Sequence, residues 1–341
     1  YRPFNPWVGI LGPTLERFGI TKYDRVMGMA PLPHGISTPF ASVGCFMSGA
    51  TAIVTEPSKP PEDHWETIER FEPTVVTAAP TQLNKMMNVD NVDRYSLDSL
   101  RILFYSGEPL PKRTADFFEE RDVYVTSYYG AAVAGAPIVT SPTEPAEIRK
   151  TTAGKAIRGT EVKIVDEDGD ECEPGESGEI IWSGATITPG YFRNREQNEE
   201  AFKRDDNGWC WFYSEDAGTM DSNGNVTIHG RLDDMIIRGG TNIFPAAIED
   251  TIIEIDAVEE VAVVAMPDSE YGERACAYIV ADTDLSLEDI TSHLDEEGLA
   301  KYKWPERLEQ VSQLPKTPAG KIRKNELEVQ ISDELRKEGK I

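Results

Sequence analysis

Strand-like and helix-like segments alternate through the first third of the chain, and this alternation limits the fold more than any other feature. Apolar runs with many β-branched residues are followed by amphipathic runs with helical spacing. This order predicts an α/β fold in which a mainly parallel sheet is covered by helices. The predicted strands are Thr51–Thr55, Thr74–Ala78, Arg101–Ser106 and Val123–Ser127, and the predicted helices are Glu62–Phe71, Gln82–Met87 and Lys112–Glu120.

Two segments fall where the ligands of such a sheet bind. Parallel sheets bind ligands beyond the carboxyl ends of their strands. Ser106–Pro109 follows one predicted strand, and Tyr128–Gly130 follows the next. We therefore predict that both segments are loops at the ligand-binding edge of the sheet.

The pattern changes twice further along the chain. From about Thr152, alternating segments are separated by the turn sequences Asp168–Asp170 and Asn223–Asn225, which predicts a small β-barrel or meander. After Asp233, mixed helical and strand patterns predict a compact α+β unit with its own core. The predicted strands are Glu161–Val165, Gly178–Ser183, Asn225–His229, Val261–Met266, Ala275–Ala281 and Arg307–Val311, and the predicted helices are Pro245–Ile255, Leu287–Glu296 and Lys324–Arg336.

These changes of pattern define the predicted domains. We predict part of a large domain over residues 1–232, with an α/β sheet region to about residue 150 and a β-barrel-like region over 151–232. A smaller α+β domain is predicted over 233–341.

Composition and charge exclude several classes of function. The chain has 34 Lys and Arg against 60 Asp and Glu, a formal net charge of −26, which argues against a nucleic-acid partner because phosphate binding needs basic patches. No apolar run is long enough for a membrane span. The acids are scattered, which favours a halophilic, cytoplasmic protein over an acidic face for a basic partner. The isolated cysteines predict reduced thiols; they are Cys45, Cys172, Cys210 and Cys276.

Near the end of the chain, Lys316 and Lys321 flank a Thr-Pro-Ala-Gly turn. Pro318 and Gly320 make such a turn stiff and tightly bent. It can hold an ammonium group at a fixed point, where a phosphate or carboxylate oxygen is its natural partner. Taken alone, a lysine in a turn is more commonly just solvated.

A long run upstream changes that interpretation. Gly230-Arg231-Leu232-Asp233-Asp234-Met235-Ile236-Ile237-Arg238-Gly239-Gly240-Thr241-Asn242-Ile243-Phe244-Pro245 joins the second and third patterns. Alone it could be a charged linker, a strand and a helix cap. Together with the Lys321 turn, it resembles the adenylate-forming superfamily of acyl-CoA synthetases, luciferases and peptide-synthetase adenylation domains. The resemblance covers nearly the whole chain, with several motifs in the right order.

The resemblance implies roles for four residues in nucleotide chemistry. Arg231 matches the arginine that meets the ribose and phosphate region, and Asp233 matches the hinge of a mobile C-terminal lid. Lys321 matches the lysine that bridges the substrate carboxylate and the α-phosphate. Phe212-Tyr213-Ser214-Glu215-Asp216 resembles a Tyr-x-Thr-Gly-Asp segment whose final carboxylate, here Asp216, accepts hydrogen bonds from the ribose hydroxyls. Ser214-Glu215 departs from the usual Thr-Gly.

Three further segments match parts of the family's binding sites. Gly107, Glu108 and Pro109 match the adenine-contacting loop, although an ordinary strand-to-helix turn explains them equally well. His34, in Pro31-Leu32-Pro33-His34-Gly35, matches a histidine that borders the acyl pocket, although a lone histidine is more often structural. Gly239, Gly240 and Asn242 match the segment that lines the pantetheine tunnel for CoA, with a β-bulge as the alternative.

One segment matches the family without pointing to chemistry. Gly178-Glu179-Ile180, Gly184 and Pro189-Gly190-Tyr191 resemble the family's Gly-Glu-Leu…Gly…Gly-Tyr segment. We interpret it as structural, serving strand, turn and packing.

Two departures from the family pattern concern the phosphates and the metal. Nothing in Tyr1–Ala30 resembles the glycine-rich phosphate loop, so we expect the chain to be N-terminally truncated and to begin just beyond it. Tyr129 and Gly130 match a nucleotide-contacting motif, but Ala131-Ala132-Val133 follows in place of x-Thr-Glu. Val133 thus stands where the family has the carboxylate that engages Mg²⁺, and a valine cannot coordinate a metal.

The resemblance implies an AMP-forming carboxylic acid–CoA ligase that uses ATP, Mg²⁺ and CoA. Its substrate would be a small acid of the short-to-medium-chain or aryl type, as in fatty acid metabolism, with Ala131 and Ala132 beside the acyl pocket. An adenylating enzyme that serves a carrier protein is one alternative, and a non-catalytic nucleotide-binding remnant is the other. The truncation and Val133 lead us to expect little turnover from this chain itself. A homodimer is compatible with each of these functions.

Overall fold

The structure is a computed structural model that describes residues 4–32, 35–107, 110–317 and 322–340. By its internal contacts the chain divides into two units, Tyr1–Ser214 with Gly218–Ile228 and Glu215–Ala217 with His229–Ile341. Within the described ranges, each helix is too short or too polar to cross a bilayer. All four cysteines are free thiols.

A seven-stranded mixed sheet organises the first unit. Its strand order is β2-β1-β3-β4-β5-β6-β7, parallel from β2 to β5 and antiparallel from there to β7. The mainly parallel sheet predicted from the alternating segments is confirmed. The strands are β1 (Arg25–Gly28), β2 (Thr51–Val54), β3 (Val75–Ala78), β4 (Ile102–Tyr105), β5 (Tyr124–Ala131), β6 (Gly135–Val139) and β7 (Lys155–Ala156).

Helices and two apolar clusters accompany this sheet, because its central strands are apolar on both faces. Phe40 stacks on Phe104 in one cluster, with 4.3 Å between ring centroids. Trp65 anchors the other and donates a 2.9 Å hydrogen bond from Nε1 to the carbonyl of Met86. The helices are α1 (Phe4–Arg17), α2 (Cys45–Ser48), α3 (Pro61–Phe71), α4 (Pro80–Met87), α5 (Lys112–Glu119) and α6 (Ala146–Thr151), with a π-helical segment at Thr38–Gly44.

A five-stranded antiparallel sheet follows in the chain, as the period-two alternation predicts. Asp166 and Asp221 lie two residues before the predicted turn sequences, and the Oδ1 atom of each accepts hydrogen bonds from two backbone N–H groups of the turn that follows. The strand order is β10-β11-β9-β8, with β12 paired to β11. The elements are β8 (Thr160–Val165), β9 (Gly178–Gly184), α7 (Arg195–Ala201), β10 (Phe202–Arg204), β11 (Cys210–Met220) and β12 (Val226–Arg231).

The C-terminal residues form an α+β arrangement with apolar clusters on both faces of its sheet. Helices α8 and α9 cover one face around Ile248 and Ile290, while α10 covers the other around Ile331. Antiparallel pairing of two long strands, β15 and β16, forms the centre. The elements are β13 (Ile236–Arg238), β14 (Thr241–Ile243), α8 (Pro245–Ile252), β15 (Val258–Asp268), β16 (Gly272–Ala281), α9 (Leu287–Glu296), β17 (Arg307–Gln310) and α10 (Lys324–Glu338).

Candidate functional site

Several predicted site residues lie outside the described part of the chain. They are His34, Glu108, Pro109 and Lys321. The residues that flank the predicted lysine turn are described, and Lys316 pairs with Ile322 in an antiparallel bridge. The Lys316 ammonium also lies 2.6 Å from a carboxylate oxygen of Glu260.

Gly107 follows the carboxyl end of β4 in the first unit. Its φ is +104°, a backbone conformation that side chains other than glycine rarely adopt. The residue is exposed, and open space surrounds the position of a Cβ. A glycine here therefore leaves the backbone accessible to a flat ligand at this edge of the sheet.

The predicted loop at Tyr128–Gly130 is wrong, because these residues lie inside β5. The first half of β5 pairs parallel with β4, as far as Tyr105 opposite Ser127. The second half pairs antiparallel with β6, and Tyr129 lies opposite Ile138. A Cβ on Gly130 would lie 2.2 Å from the Cα of Ala136, so only glycine allows this approach. The strand continues because a hairpin partner follows it directly.

The β5–β6 turn, Ala131–Ala134, is held by a hydrogen bond of its own and by two from a distant part of the chain. Within the turn, the amide of Ala134 donates to the carbonyl of Ala131 over 3.2 Å. The Thr188 hydroxyl donates to the carbonyl of Val133. The buried Trp182 donates from Nε1 to the carbonyl of Ala134 over 3.1 Å. Packing and hydrogen bonds therefore fix this turn.

Val133 takes part in that packing through its side chain. It is partly buried against an apolar cluster that contains Trp182 and Phe212, while Ala132 is exposed. A hydrocarbon side chain offers no oxygen to a hard cation, so the residues present do not fit a magnesium site at Val133. Among the described residues, no group of three or more His, Cys, Asp or Glu could hold a metal ion.

The contacts of the segment around Gly184 and Gly190 support its structural interpretation. A Cβ on Gly184 would lie 2.3 Å from the Gly159 carbonyl oxygen, and one on Gly190 would lie 2.4 Å from Asn198 Oδ1. Sequence reasoning did not find Thr188 or Trp182 as supports of the β5–β6 turn. The bulky Trp182 in an alternating strand indicates a core position, but its partner depends on the tertiary fold.

A group of charged residues, which we call the Arg231 cluster, lies in the second unit. It comprises Glu215, Asp216, Arg231 and Asp233. Arg231 donates to Asp233 from Nε over 2.9 Å and from Nη2 over 3.2 Å. The same Nη2 donates to Glu215 over 2.8 Å, and Nη1 lies 3.8 Å from Asp216. Three carboxylates thus surround one guanidinium group, and the structure brings the predicted residues Asp216, Arg231 and Asp233 together.

Electrostatics in the Arg231 cluster favour the charged form of both principal partners. The hydrogen bond from Arg231 holds the pKa of Asp233 below its usual range. The hydrogen bond to Asp233 raises the pKa of Arg231. Arg231 and Asp233 therefore stay ionised at neutral pH, and the guanidinium side chain is 41% exposed.

Sequence reasoning noted Glu215 only as a departure from the family pattern. Its φ is +61°, the left-handed region that a glycine adopts readily. Its carbonyl accepts the amide of Leu232 over 2.8 Å. The sequence signal for Glu215 was a glutamate where the family pattern has a glycine. A side chain added at such a position makes contacts that the glycine does not make.

Gly239 and Gly240 form a two-residue hairpin turn between β13 and β14, rather than a β-bulge. Their φ values are +57° and +84°, the combination that tight hairpins require. The Gly239 amide donates to the carbonyl of Tyr271 over 2.8 Å. Asn242 is exposed on β14.

Tyr271 is itself held by charged residues of the second unit. The centre of its ring lies 4.2 Å from the guanidinium carbon of Arg238 and 4.8 Å from that of Arg274. Both arginines pair with Glu306. This network fixes the backbone group to which the hairpin turn is bonded.

Comparison with known proteins gives family matches to both parts of the chain. Residues 10–192 match the family described as AMP-binding enzyme. Residues 247–321 match the AMP-binding enzyme C-terminal domain.

Individual relatives match nearly all of the chain. A medium-chain fatty-acid–CoA ligase of Escherichia coli K12 is 32% identical over 311 residues, which are 90% of this chain and 54% of that protein. The structure of an anthranilate CoA ligase in complex with anthranoyl-AMP matches with a TM-score of 0.86 at 27% identity, over 97% of this chain and 64% of that one. The O-succinylbenzoate–CoA synthetase of Bacillus subtilis, in complex with ATP and a magnesium ion, matches with a TM-score of 0.84 at 29% identity, over 96% of this chain and 66% of that one.

The relatives are longer than this chain. It spans 54% to 65% of the length of the curated relatives that it matches.

Proposed function

Because the chain belongs to the AMP-binding enzyme family, as its resemblance to the adenylate-forming superfamily predicts, we propose that it is part of an AMP-forming carboxylic acid–CoA ligase. The observation that carries this proposal is the Arg231 cluster. It joins a guanidinium suited to phosphate with Asp216, a carboxylate suited to ribose hydroxyls. In the sequence resemblance, both residues match the family's residues for these roles.

In the first half-reaction, an oxygen of the substrate carboxylate attacks the α-phosphorus of ATP. The bond from that phosphorus to the bridging oxygen breaks, and pyrophosphate leaves while acyl-AMP forms. Asp216 accepts hydrogen bonds from the ribose hydroxyls, and Arg231 contacts the phosphate region. The proposed role of Lys321 is to neutralise the negative charge that develops on the reacting oxygens. Gly107, Tyr129 and Gly130 are proposed to lie along the adenine and ribose.

In the second half-reaction, the CoA sulfur bonds to the acyl carbon, the bond from that carbon to the phosphate oxygen breaks, and AMP leaves while the thiol proton passes to solvent. Asp233 is proposed as the hinge of the movement that separates the two half-reactions. The hairpin turn at Gly239 and Gly240, with Asn242 beside it, is proposed to lie along the pantetheine arm. Absence of side chains at the two glycines allows a narrow chain to pass close to the backbone.

The acid is proposed only as a small carboxylic acid. Ala131 and Ala132 are small residues near the end of β5, and they and His34 are proposed to border the acyl pocket. The relatives act on acids as different as medium-chain fatty acids and anthranilate. A medium-chain or aryl acid is therefore the range to test.

We propose no residue of this chain as a ligand of magnesium. A relative binds ATP together with a magnesium ion, but Val133 offers no ligand where the family has a carboxylate. No catalytic step is assigned to the metal here. A cytoplasmic location, a halophilic surface, a role in fatty acid metabolism and a homodimer also stay predictions.

Val133 favours one second candidate function. A member of the family that binds AMP or ATP without turning it over needs the Arg231 cluster but not the metal carboxylate. A ligase that passes its acyl group to a carrier protein differs from the leading proposal only in the thiol acceptor.

Exchange of labelled pyrophosphate into ATP, with a panel of medium-chain and aryl acids, tests the first half-reaction. We expect acid-dependent exchange, weak in this chain, and acyl-CoA formation when CoA is added. Lys321→Ala should remove the exchange and retain AMP binding. AMP binding without exchange would favour the non-catalytic candidate, and transfer only to a carrier protein would favour the other ligase.

A further inference from the structure

We propose that Glu215 competes with the nucleotide for Arg231 and thereby sets the affinity of the site for phosphate-bearing nucleotides. The inference rests on the proposed function, since it assumes that Arg231 meets a nucleotide phosphate. It concerns a residue that departs from the family pattern, and it follows from three observations in the Arg231 cluster.

The first observation is the occupancy of the Arg231 guanidinium. Its Nη2 atom has two N–H groups and donates to two acceptors, Asp233 over 3.2 Å and Glu215 over 2.8 Å. The single N–H of Nε also donates to Asp233, over 2.9 Å. A phosphate that takes a hydrogen bond from Nη2, alone or as half of a parallel pair with Nη1, must therefore displace one of these carboxylates.

The second observation identifies which carboxylate is displaced more easily. Asp233 holds Arg231 through two hydrogen bonds in the fork geometry, from Nε and Nη2, and the Glu215 carboxylate accepts a hydrogen bond from Nη2. The two side chains are similarly exposed, Glu215 to 68% and Asp233 to 66%, so the fork geometry rather than solvent distinguishes them. Release of Glu215 leaves the two-bond fork to Asp233 intact, so it disturbs the cluster less than release of Asp233.

The third observation is the backbone conformation that directs the side chain. Residue 215 has a φ of +61°, where a side chain is disfavoured and glycine is the ordinary choice. A glycine there would remove the Glu215 carboxylate from Arg231 and leave the contacts with Asp216 and Asp233. The glutamate adds a third carboxylate to the cluster at the cost of backbone strain.

These observations together predict a specific and modest effect. Phosphate oxygens and the Glu215 carboxylate compete for the same N–H group, so removal of the carboxylate tightens nucleotide binding. Because the ion pair is exposed, the expected gain is about threefold to fivefold in affinity. The gain should be confined to ligands that carry a phosphate, since a bare nucleoside does not compete for the guanidinium.

Isothermal titration of AMP and of adenosine into the wild-type chain and Glu215→Gln tests the proposal. We expect the Kd for AMP to fall about threefold to fivefold and the Kd for adenosine to stay unchanged. Asp333→Asn is the matched control, because it removes a carboxylate that forms a 2.9 Å exposed pair with Arg336 elsewhere in the second unit. This control should leave both affinities unchanged.

Each other outcome has a separate meaning. If AMP binds the wild type and Glu215→Gln with equal affinity, competition is overturned and the proposed function stands. An equal change in the Kd for AMP and for adenosine also overturns competition, since a structural effect of the substitution explains it. An equal gain in affinity in Asp333→Asn overturns it too, since the net negative charge of the protein then explains the gain. If neither protein binds AMP, the proposed function fails and the inference fails with it.

Discussion

The β5–β6 turn and the Arg231 cluster are built from opposite kinds of contact. The turn is held by a buried tryptophan, a threonine hydroxyl and the apolar packing of Val133. The cluster consists of charged side chains that are exposed or half-buried and hold one another by ion pairs. The first region contributes to stability through packing, whereas the second leaves its charged groups partly exposed to solvent.

The two regions also depart from the family pattern in opposite directions. The β5–β6 turn has lost a carboxylate at Val133, and the Arg231 cluster has gained one at Glu215. Val133 packs against an apolar cluster where the family pattern has a carboxylate, and Glu215 pairs with Arg231 where the pattern has a glycine. If this contrast is correct, substitutions in the turn should change unfolding, and substitutions in the cluster should change nucleotide binding.

The largest expected effect is on stability, at the support of the turn. Trp182→Ala should lower the free energy of unfolding by about 3–5 kcal/mol, because Trp182 is fully buried and a cavity would remain. Chemical denaturation measures this. Trp209→Ala is the control, since Trp209 is 56% exposed and its loss should cost about 0.5 kcal/mol or less. Equal losses in both variants would contradict the stabilising role of Trp182.

The next effect is on binding, within the cluster. Asp216→Asn should raise the Kd for AMP about tenfold to a hundredfold, because a charged acceptor of the ribose hydroxyls becomes neutral. Titration calorimetry measures the affinity, and chemical denaturation should show little change in stability. An unchanged affinity would place the ribose elsewhere.

A third substitution restores the missing carboxylate to the turn. Val133→Glu should lower the melting temperature without metal, because a charge enters a partly buried apolar site. Addition of Mg²⁺ alone should recover part of that loss by binding to the folded state. Val133→Gln should show the loss without the recovery. Equal stabilisation of the wild type by Mg²⁺ would indicate that another acid already binds the metal.

The smallest effect concerns the backbone at Glu215. Glu215→Gly should be about 1 kcal/mol more stable than Glu215→Gln, because both lose the ion pair and only glycine relieves the positive φ. Thermal unfolding compares the two variants. If the glycine variant is no more stable, the positive φ carries no strain.

The sequence predicted most helices and strands because the spacing of apolar residues reflects which face of each element is buried. Helix Leu287–Glu296 has the predicted bounds, and β8, β9 and α10 differ by one or two residues. The prediction failed at Tyr128–Gly130 because strand β5 exchanges a parallel partner for an antiparallel one, and period alone does not reveal the partner. Pairings across the fold, such as that of Trp182 with the turn, were equally hidden.

The candidate site divides in a similar way. The residue types of Asp216, Arg231 and Asp233 were available from the motifs, and their meeting in one cluster is local to β11, β12 and the turn that follows. Glu215 was visible as a departure, but its contact with Arg231 depends on its left-handed backbone. The contact that a side chain makes from such a position depends on the backbone conformation, which the sequence alone does not reveal.

Hydrogen–deuterium exchange of the chain with and without AMP tests the central claim most directly. We predict that AMP slows exchange at residues 214–217 and 229–233, which contain the Arg231 cluster, and that Asp216→Asn reduces this protection. Binding of AMP with no protection of these two segments would contradict the claim that the Arg231 cluster holds the nucleotide.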